Sequence, residues 1–177
     1  MKTGYWNYDY TLALPEGGGA TSHFILETSL DLTAADIFDV YINGQSSSFD
    51  GPQTWLATEP SNPGLPGDIY GIKFDDLTET MTLRINFNSY RVPVWADFYA
   101  KDGNAGGQGT NAAWNAGLLV ADPTVAAGNG TINNHILAPD TEIVQPPPGP
   151  TPELPPGALL LLTLIPAAWA GVRAKKK

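Results

Sequence analysis

From Met81 to Asn88 the side chains alternate: Met81, Leu83, Ile85 and Phe87 are apolar, while Thr82, Arg84, Asn86 and Asn88 are polar. That two-residue period limits the fold more than any other feature. Successive side chains of a strand point to opposite faces, so such a run has one buried face and one wet face. Residues 4–14 repeat the pattern, with Trp6, Tyr8, Tyr10, Leu12 and Leu14 opposing Asn7, Asp9 and Thr11. Further strands are predicted over 22–28, 36–42, 68–74, 92–100, 114–120 and 134–138, making eight or nine with 80–88. Turn residues separate them: Gly17-Gly18-Gly19, Asn43-Gly44, the Pro60 to Gly67 loop, Asp102-Gly103-Asn104 and Asn129-Gly130. Only Leu32 to Phe38 suggests a helical turn.

Strands do not alternate with helices here, so they must pair antiparallel, and two packed sheets let each bury one face. The expectation is an all-β, antiparallel β-sandwich, jelly-roll-like, over residues 1–142. A chain of 177 residues with 42% hydrophobic content has enough apolar surface for one core. Its 19 glycines and 16 prolines favour many short elements. No repeat of 20 to 50 residues points to a propeller or solenoid.

Charge is distributed unevenly. Residues 1–172 hold five basic and eighteen acidic side chains, a net −13, while Arg173, Lys175, Lys176 and Lys177 close the chain. Nucleic acid is excluded as a partner of so acidic a body, because phosphate neutralisation needs clustered cations. Without cysteine there is no disulfide, thiolate zinc site or thiol nucleophile, and two histidines, His23 and His135, leave little for a transition metal.

The two ends differ. Met1-Lys2-Thr3 runs straight into Gly-Tyr-Trp-Asn-Tyr-Asp-Tyr, so no N-terminal leader is visible and a truncated start is expected. At the other end, Pro146 to Gly157 contains seven prolines in twelve residues, which predicts an extended Pro-rich linker over 143–157. Residues 158–177 then form a short hydrophobic helix with a basic stop. Ala158 to Val172 is a run of fifteen uncharged residues, too uniformly apolar for an amphipathic core helix. At 1.5 Å per residue it spans roughly 22 Å of a hydrocarbon layer about 30 Å thick, and Pro166 kinks it, so transient anchoring suits it better than permanent spanning. A C-terminal helix docked on the body is the alternative.

A β-rich body, a Pro-rich spacer, a Pro-Glu element at Pro152-Glu153 with Pro155 following, a leucine-rich run and a basic end together resemble bacterial PEP-CTERM proteins. The segments Ser61 to Phe74 and Val92 to Gly103 are also similar to bodies that carry such tails. The resemblance implies a sorting signal at Pro152, Glu153 and Pro155, an exosortase-like processing enzyme as partner, transient contact with the membrane, and a cell-envelope or extracellular-matrix destination. It implies no catalytic residue. A hydrophobic run with a basic cluster is also an ordinary tail anchor.

For catalysis, paired carboxylates are offered only by Asp75-Asp76 with Glu79, and by Asp97 beside Trp95 and Tyr99; adjacent acids on an acidic surface explain them equally, and no enzyme is expected. No Gly-x-Ser-x-Gly elbow is present. His23 and His135 read as strand-end or core histidines rather than paired ligands. Asp102 to Gly107 opens like an EF-hand loop but reaches Ala113 where a bidentate Glu is required, so it reads as a hairpin loop. No cofactor is expected, and the metal question stays open: calcium fits a body rich in hard oxygen donors. Trp55, Trp95 and Trp114 are the candidates for a platform that stacks on sugar rings of an exopolysaccharide, with Trp55, flanked by Pro and Gly, the one expected to be exposed. Core packing is the simpler account of Trp95, on what reads as a central strand.

Overall fold

The structure is a computed structural model in which residues 4–13, 21–75, 77, 82–103 and 111–139 are described. The chain divides into two units, Met1–Val144 and Gln145–Lys177, and every described residue belongs to the first. The Pro-rich linker and C-terminal helix read from the sequence, the glycine turn at 17–19, Asp76 and Glu79 lie outside the described residues.

Eleven strand segments make up the body: β1 (Trp6–Ala13), β2 (Thr21–Glu27), β3 (Ile37–Ile42), β4 (Gln45–Ser46), β5 (Asp50–Trp55), β6 (Ile69–Asp75), β7 (Thr82–Ser89), β8 (Pro93–Ala96), β9 (Phe98–Asp102), β10 (Ala112–Trp114) and β11 (Ile136–Pro139). They form a four-stranded sheet in the order β1-β7-β3-β4, a five-stranded sheet in the order β10-β9-β2-β6-β5, and the two-stranded ladder β11-β8. All pairs are antiparallel. The fold is therefore all-β, as the alternation predicts. Among the described residues the only helix is a 3-10 turn at Ala34–Asp36, inside the predicted helical stretch, and no helix there is long and apolar enough to cross a membrane.

Alternation becomes burial where a strand has one wet face. In β7, Leu83, Ile85 and Phe87 are buried while Thr82 and Arg84 are exposed. Opposite it in β1, Tyr8 is buried and Asp9 exposed, and Arg84 pairs outward with Asp9. The four- and five-stranded sheets contribute to the same core: Tyr8, Ile85 and Phe87 from one cluster with Phe24, Leu26 and Phe74 from the other. Aromatic rings carry this junction, with centroids 5.9 Å apart for Phe74 and Phe87 and 6.0 Å for Tyr10 and Phe24. Strand β2 breaks the alternation rule because both its faces are covered. Phe24 and Leu26 face the shared core, while Ile25 joins a second cluster with Trp55, Leu65, Ile69, Tyr99 and Leu118.

Arg91 is buried where the strands end. It binds Asp36 at 3.0 Å and Asp31 at 3.2 Å, and Tyr8 donates its hydroxyl hydrogen to the Arg91 carbonyl at 3.0 Å. Asp36 also accepts from the Thr33 backbone and hydroxyl, closing the 3-10 turn. A charge with this many charge-assisted bonds is fixed by geometry that removal of either partner would break.

Three strand expectations are corrected. The stretch 92–100 is two strands, because Asp97 turns the chain between β8 and β9, so Trp95 lies in the small ladder with β11 and not on a central strand. The predicted strand 114–120 ends at Trp114; residues 116–119 form a turn and Leu119 takes a left-handed φ of 76°. Strands β4 and β5 went unpredicted, since Asp50-Gly51-Pro52-Gln53-Thr54-Trp55 has little apolar character and carries a proline in a register shift between Asp50 and Gln53.

Strand β2 leaves no room for a side chain at Gly71 of β6, where a Cβ would lie 1.9 Å from the Leu26 carbonyl oxygen. Gly71→Ala should cost about 3 kcal/mol, the upper end for overpacking, in urea denaturation; a variant as stable as wild type would show that the strands are not this close.

Candidate functional site

Among the described residues, a close group of ionisable side chains forms where the β8–β11 ladder meets the end of β2. Asp97 sits in the two-strand junction, its backbone N–H donating to Glu27 Oε2 and its carbonyl accepting from the Glu27 N–H, both at 2.9 Å. Asp122 comes from the loop after β10. His135 precedes β11, at the end of a tight turn in which Asn133 and Asn134 adopt left-handed φ values of 46° and 62°. Ile132 and His135 close that turn with reciprocal backbone bonds of 3.2 and 2.8 Å. Asparagine tolerates this backbone region better than most residues, which suits Asn-Asn to the turn.

The imidazole of His135 is 1% exposed. Gly117 makes room for it, since a Cβ at that position would lie 2.5 Å from His135 Cε1. Nδ1 lies 2.9 Å from the Asn133 carbonyl oxygen, while Nε2 is 3.6 Å from Asp97 Oδ1 and 3.6 Å from Asp122 Oδ1. One ligand atom from each of Asp97, Asp122 and His135 falls within 4.8 Å of the others. Asn115 holds Asp97 in place, donating from Nδ2 to Asp97 Oδ1 while its own carbonyl accepts from the Phe98 N–H at 2.8 Å. Glu27, Asp68, Asp97 and Asp122 line a hollow of about 190 Å³ beside the cluster.

Burial and mutual repulsion act on these acids together. The Glu27 carboxyl is pushed up to about 7, first by burial and then by the charges of Asp122 and Asp97. Asp97 is raised by burial against the opposing Asn115 bond, and Asp122 by burial and by Asp97.

The residues singled out from the sequence scatter. Asp97 is in the cluster, but Trp95 and Tyr99 beside it point into packing: Trp95 donates its indole N–H to the Val125 carbonyl at 3.1 Å, and Tyr99 is fully buried with its hydroxyl donating to Pro63 O at 2.8 Å. Asp75 pairs with Lys73 at 2.8 Å. Asp102 bonds Asn111 across the base of the β9–β10 hairpin, so its carboxylate closes a loop. His23 is a buried strand histidine whose pKa falls to about 4, chiefly through burial and then Lys73. His135 also sits in the core, but it meets two carboxylates there, which its sequence neighbours do not reveal.

The expected tryptophan platform does not form. Trp55 is buried, donating to the Gly71 carbonyl at 3.0 Å beneath Lys73, whose Nζ lies 4.7 Å from the ring centre; it is at the inner end of an edge strand and not on the flat of a sheet. Trp95 is buried too, and of the three only Trp114 is exposed. The open aromatic surface lies elsewhere. A cleft of about 630 Å³ runs along β1, lined among others by Trp6, Tyr10, Asn129 and Thr131. Trp6 is 49% exposed.

The chain matches no family model, no curated protein and no solved structure.

Glu27 gives the acid cluster a measurable sign. Its folded pKa of about 7 lies above the ordinary 4.5, so its contribution to stability is full below about pH 4.5 and is lost as pH rises through 7. In metal-free buffer Glu27→Gln should therefore be more stable than wild type at pH 8, by about 1–2 kcal/mol after allowance for solvent screening, with a smaller gain at pH 5. Equal urea midpoint differences at both pH values would dismiss the burial of an ionised Glu27.

Proposed function

We propose that the protein is a non-enzymatic, exported β-sandwich, jelly-roll-like in its connections, directed to the cell envelope or extracellular matrix by its C-terminal segment. The observation that carries this reading is the run Ala158 to Val172, fifteen residues without a charge, placed after a proline-rich spacer and closed by Arg173, Lys175, Lys176 and Lys177. Uniform apolarity has no use on a helix with a wet face, whereas lipid or a membrane-embedded processing enzyme accepts it. The four terminal cations favour the cytoplasmic side, each contributing about 1 kcal/mol of attraction to an anionic leaflet. The body then lies outside, and an exosortase-like cut near Pro152-Glu153 frees it with most of the spacer.

When the chain is expressed behind a secretory leader, the envelope or medium fraction should contain it, and intact mass should show loss of the tail. Replacing Arg173, Lys175, Lys176 and Lys177 by Ala should weaken membrane retention of the uncut precursor and leave the thermal transition of the body unchanged. Recovery only from soluble cytoplasm, or loss of the cooperative transition in the neutral-tail variant, would overturn the reading; the latter result identifies a docked structural helix.

A second reading, a carbohydrate-binding module at the same location, is favoured by the cleft along β1. An exposed indole in a cleft also lined by Asn129 and Thr131 suits the apolar face and hydroxyl rim of a sugar ring. Trp6→Ala should reduce affinity for exopolysaccharide about tenfold, since loss of one stacked ring costs about 1–2 kcal/mol. Undiminished binding by this variant would remove the cleft from consideration.

A further inference from the structure

We propose that Asp97, Asp122 and His135 hold one divalent transition-metal ion of the zinc class, with Glu27 at the margin of the site. The inference stands apart from the reading of the tail. It begins with the tautomer of His135. The Asn133 carbonyl can only accept a hydrogen bond, so Nδ1, 2.9 Å away, carries the proton, and a neutral ring then presents a lone pair at Nε2. That nitrogen is buried without a hydrogen-bond partner, and it faces a carboxylate oxygen of Asp97 and one of Asp122, each at 3.6 Å. Three electron-rich atoms converge on one point, which is repulsive unless something positive lies between them.

Two occupants satisfy that requirement, a proton or a metal ion, and the distances distinguish them. A protonated imidazole bonded to a carboxylate closes to about 2.7–2.9 Å. Here Nε2 stays 3.6 Å from both oxygens and favours neither. Ligands at about 2.0–2.2 Å around a tetrahedral ion stand about 3.4 Å apart, close to the 3.6 Å from Nε2 to each carboxylate oxygen. The support around the ligands fits as well. His135 donates its other ring N–H to a backbone carbonyl, and Asn115 orients Asp97, the outer contacts that hold metal ligands in place. The hollow lined by Glu27, Asp97 and Asp122 lies beside the two carboxylates and leaves room for water or a further oxygen ligand.

The donor set selects the ion. An imidazole nitrogen with two carboxylate oxygens suits zinc and its d-block neighbours, whereas calcium takes six to eight oxygens. The ion would join the β8–β9 junction, the loop at Asp122 and the turn before β11, segments 25 and 13 residues apart in the chain. The site acts as a staple for the part of the body with the least regular structure.

The test uses the full chain without a polyhistidine tag, in mild detergent, stripped with chelator and titrated with Zn²⁺. One ion per chain is expected, with a rise in Tm of roughly 5–10 °C at a hundredfold excess over Kd. Co²⁺ should give a visible ligand-field spectrum that requires nitrogen ligation. Asp122→Asn, at a side chain nearly half exposed, should fold and lose affinity by about tenfold or more, while Asp50→Asn, at an exposed acid, should bind as wild type. His135→Gln should abolish the cobalt spectrum, and if that variant fails to fold, Asp122→Asn decides alone. Absence of stoichiometric Zn²⁺ binding, or full affinity in Asp122→Asn, overturns the site. So does a Tm that no metal changes while nitrogen-15 NMR finds Nε2 protonated, which identifies a proton between the three groups. A Tm raised by Ca²⁺ and not by Zn²⁺ overturns the zinc-class assignment.

Discussion

Strand β2 is the element on which the body depends, because it is buried on both faces. Phe24 and Leu26 project into the core between the larger sheets, and Ile25 projects the other way into the cluster with Trp55 and Tyr99. On its two edges it is paired with β6 and β9. A strand so enclosed has no wet side on which to place polar groups, which is why Phe24-Ile25-Leu26 is continuous apolar sequence. The close passage at Gly71 follows from the same enclosure: the backbones of β2 and β6 are pressed together with apolar weight on both sides. His23, one residue earlier on the same strand, is held neutral by that environment over most of the pH range.

The acid–histidine cluster lies where this order ends. Glu27 is the last residue of β2, and Asp97 interrupts what the apolar pattern reads as one strand. The interruption has a structural cause in the fold: Asn115 reaches across to bond both the Asp97 carboxylate and the next backbone N–H, so the chain turns from the small ladder into the large sheet around a polar pivot. Burial at such a pivot raises the cost of charge on every acid present, and Glu27, Asp97 and Asp122 all respond in that direction.

Legibility in the sequence followed solvent. Strands β1 and β7 were visible because each has a wet face whose polar residues punctuate the apolar ones. Strand β5 was invisible because an edge strand with Pro52 and exposed Gln53 and Thr54 lacks that contrast, and Leu118-Leu119-Val120 misled because apolar residues fill a turn there, Leu118 entering a core while Leu119 and Val120 face out. Of the cluster, only Asp97 was legible as a candidate. Glu27, Asp97, Asp122 and His135 are separated along the chain by 70, 25 and 13 positions, and no local pattern records their closeness in space. The one local trace was Asn133-Asn134 before His135, a turn signal whose use in fixing the imidazole depends on the fold. Trp55 is misleading for the opposite reason: Pro and Gly around it suggest exposure, but its indole is anchored to the sheet by the Gly71 carbonyl.

The outer strands of the sheets have a consequence for crowding. Strand β4 is two residues long and β10 three, and β5 carries a proline without an N–H together with a shifted register. Each presents a short or interrupted row of free backbone groups, a poor template for another strand. A protein at high local concentration meets its own copies far more often than a dilute one. Under those conditions these three edges would resist pairing between neighbouring bodies, whereas β1, eight residues long at the other edge of the four-stranded sheet, has no such break.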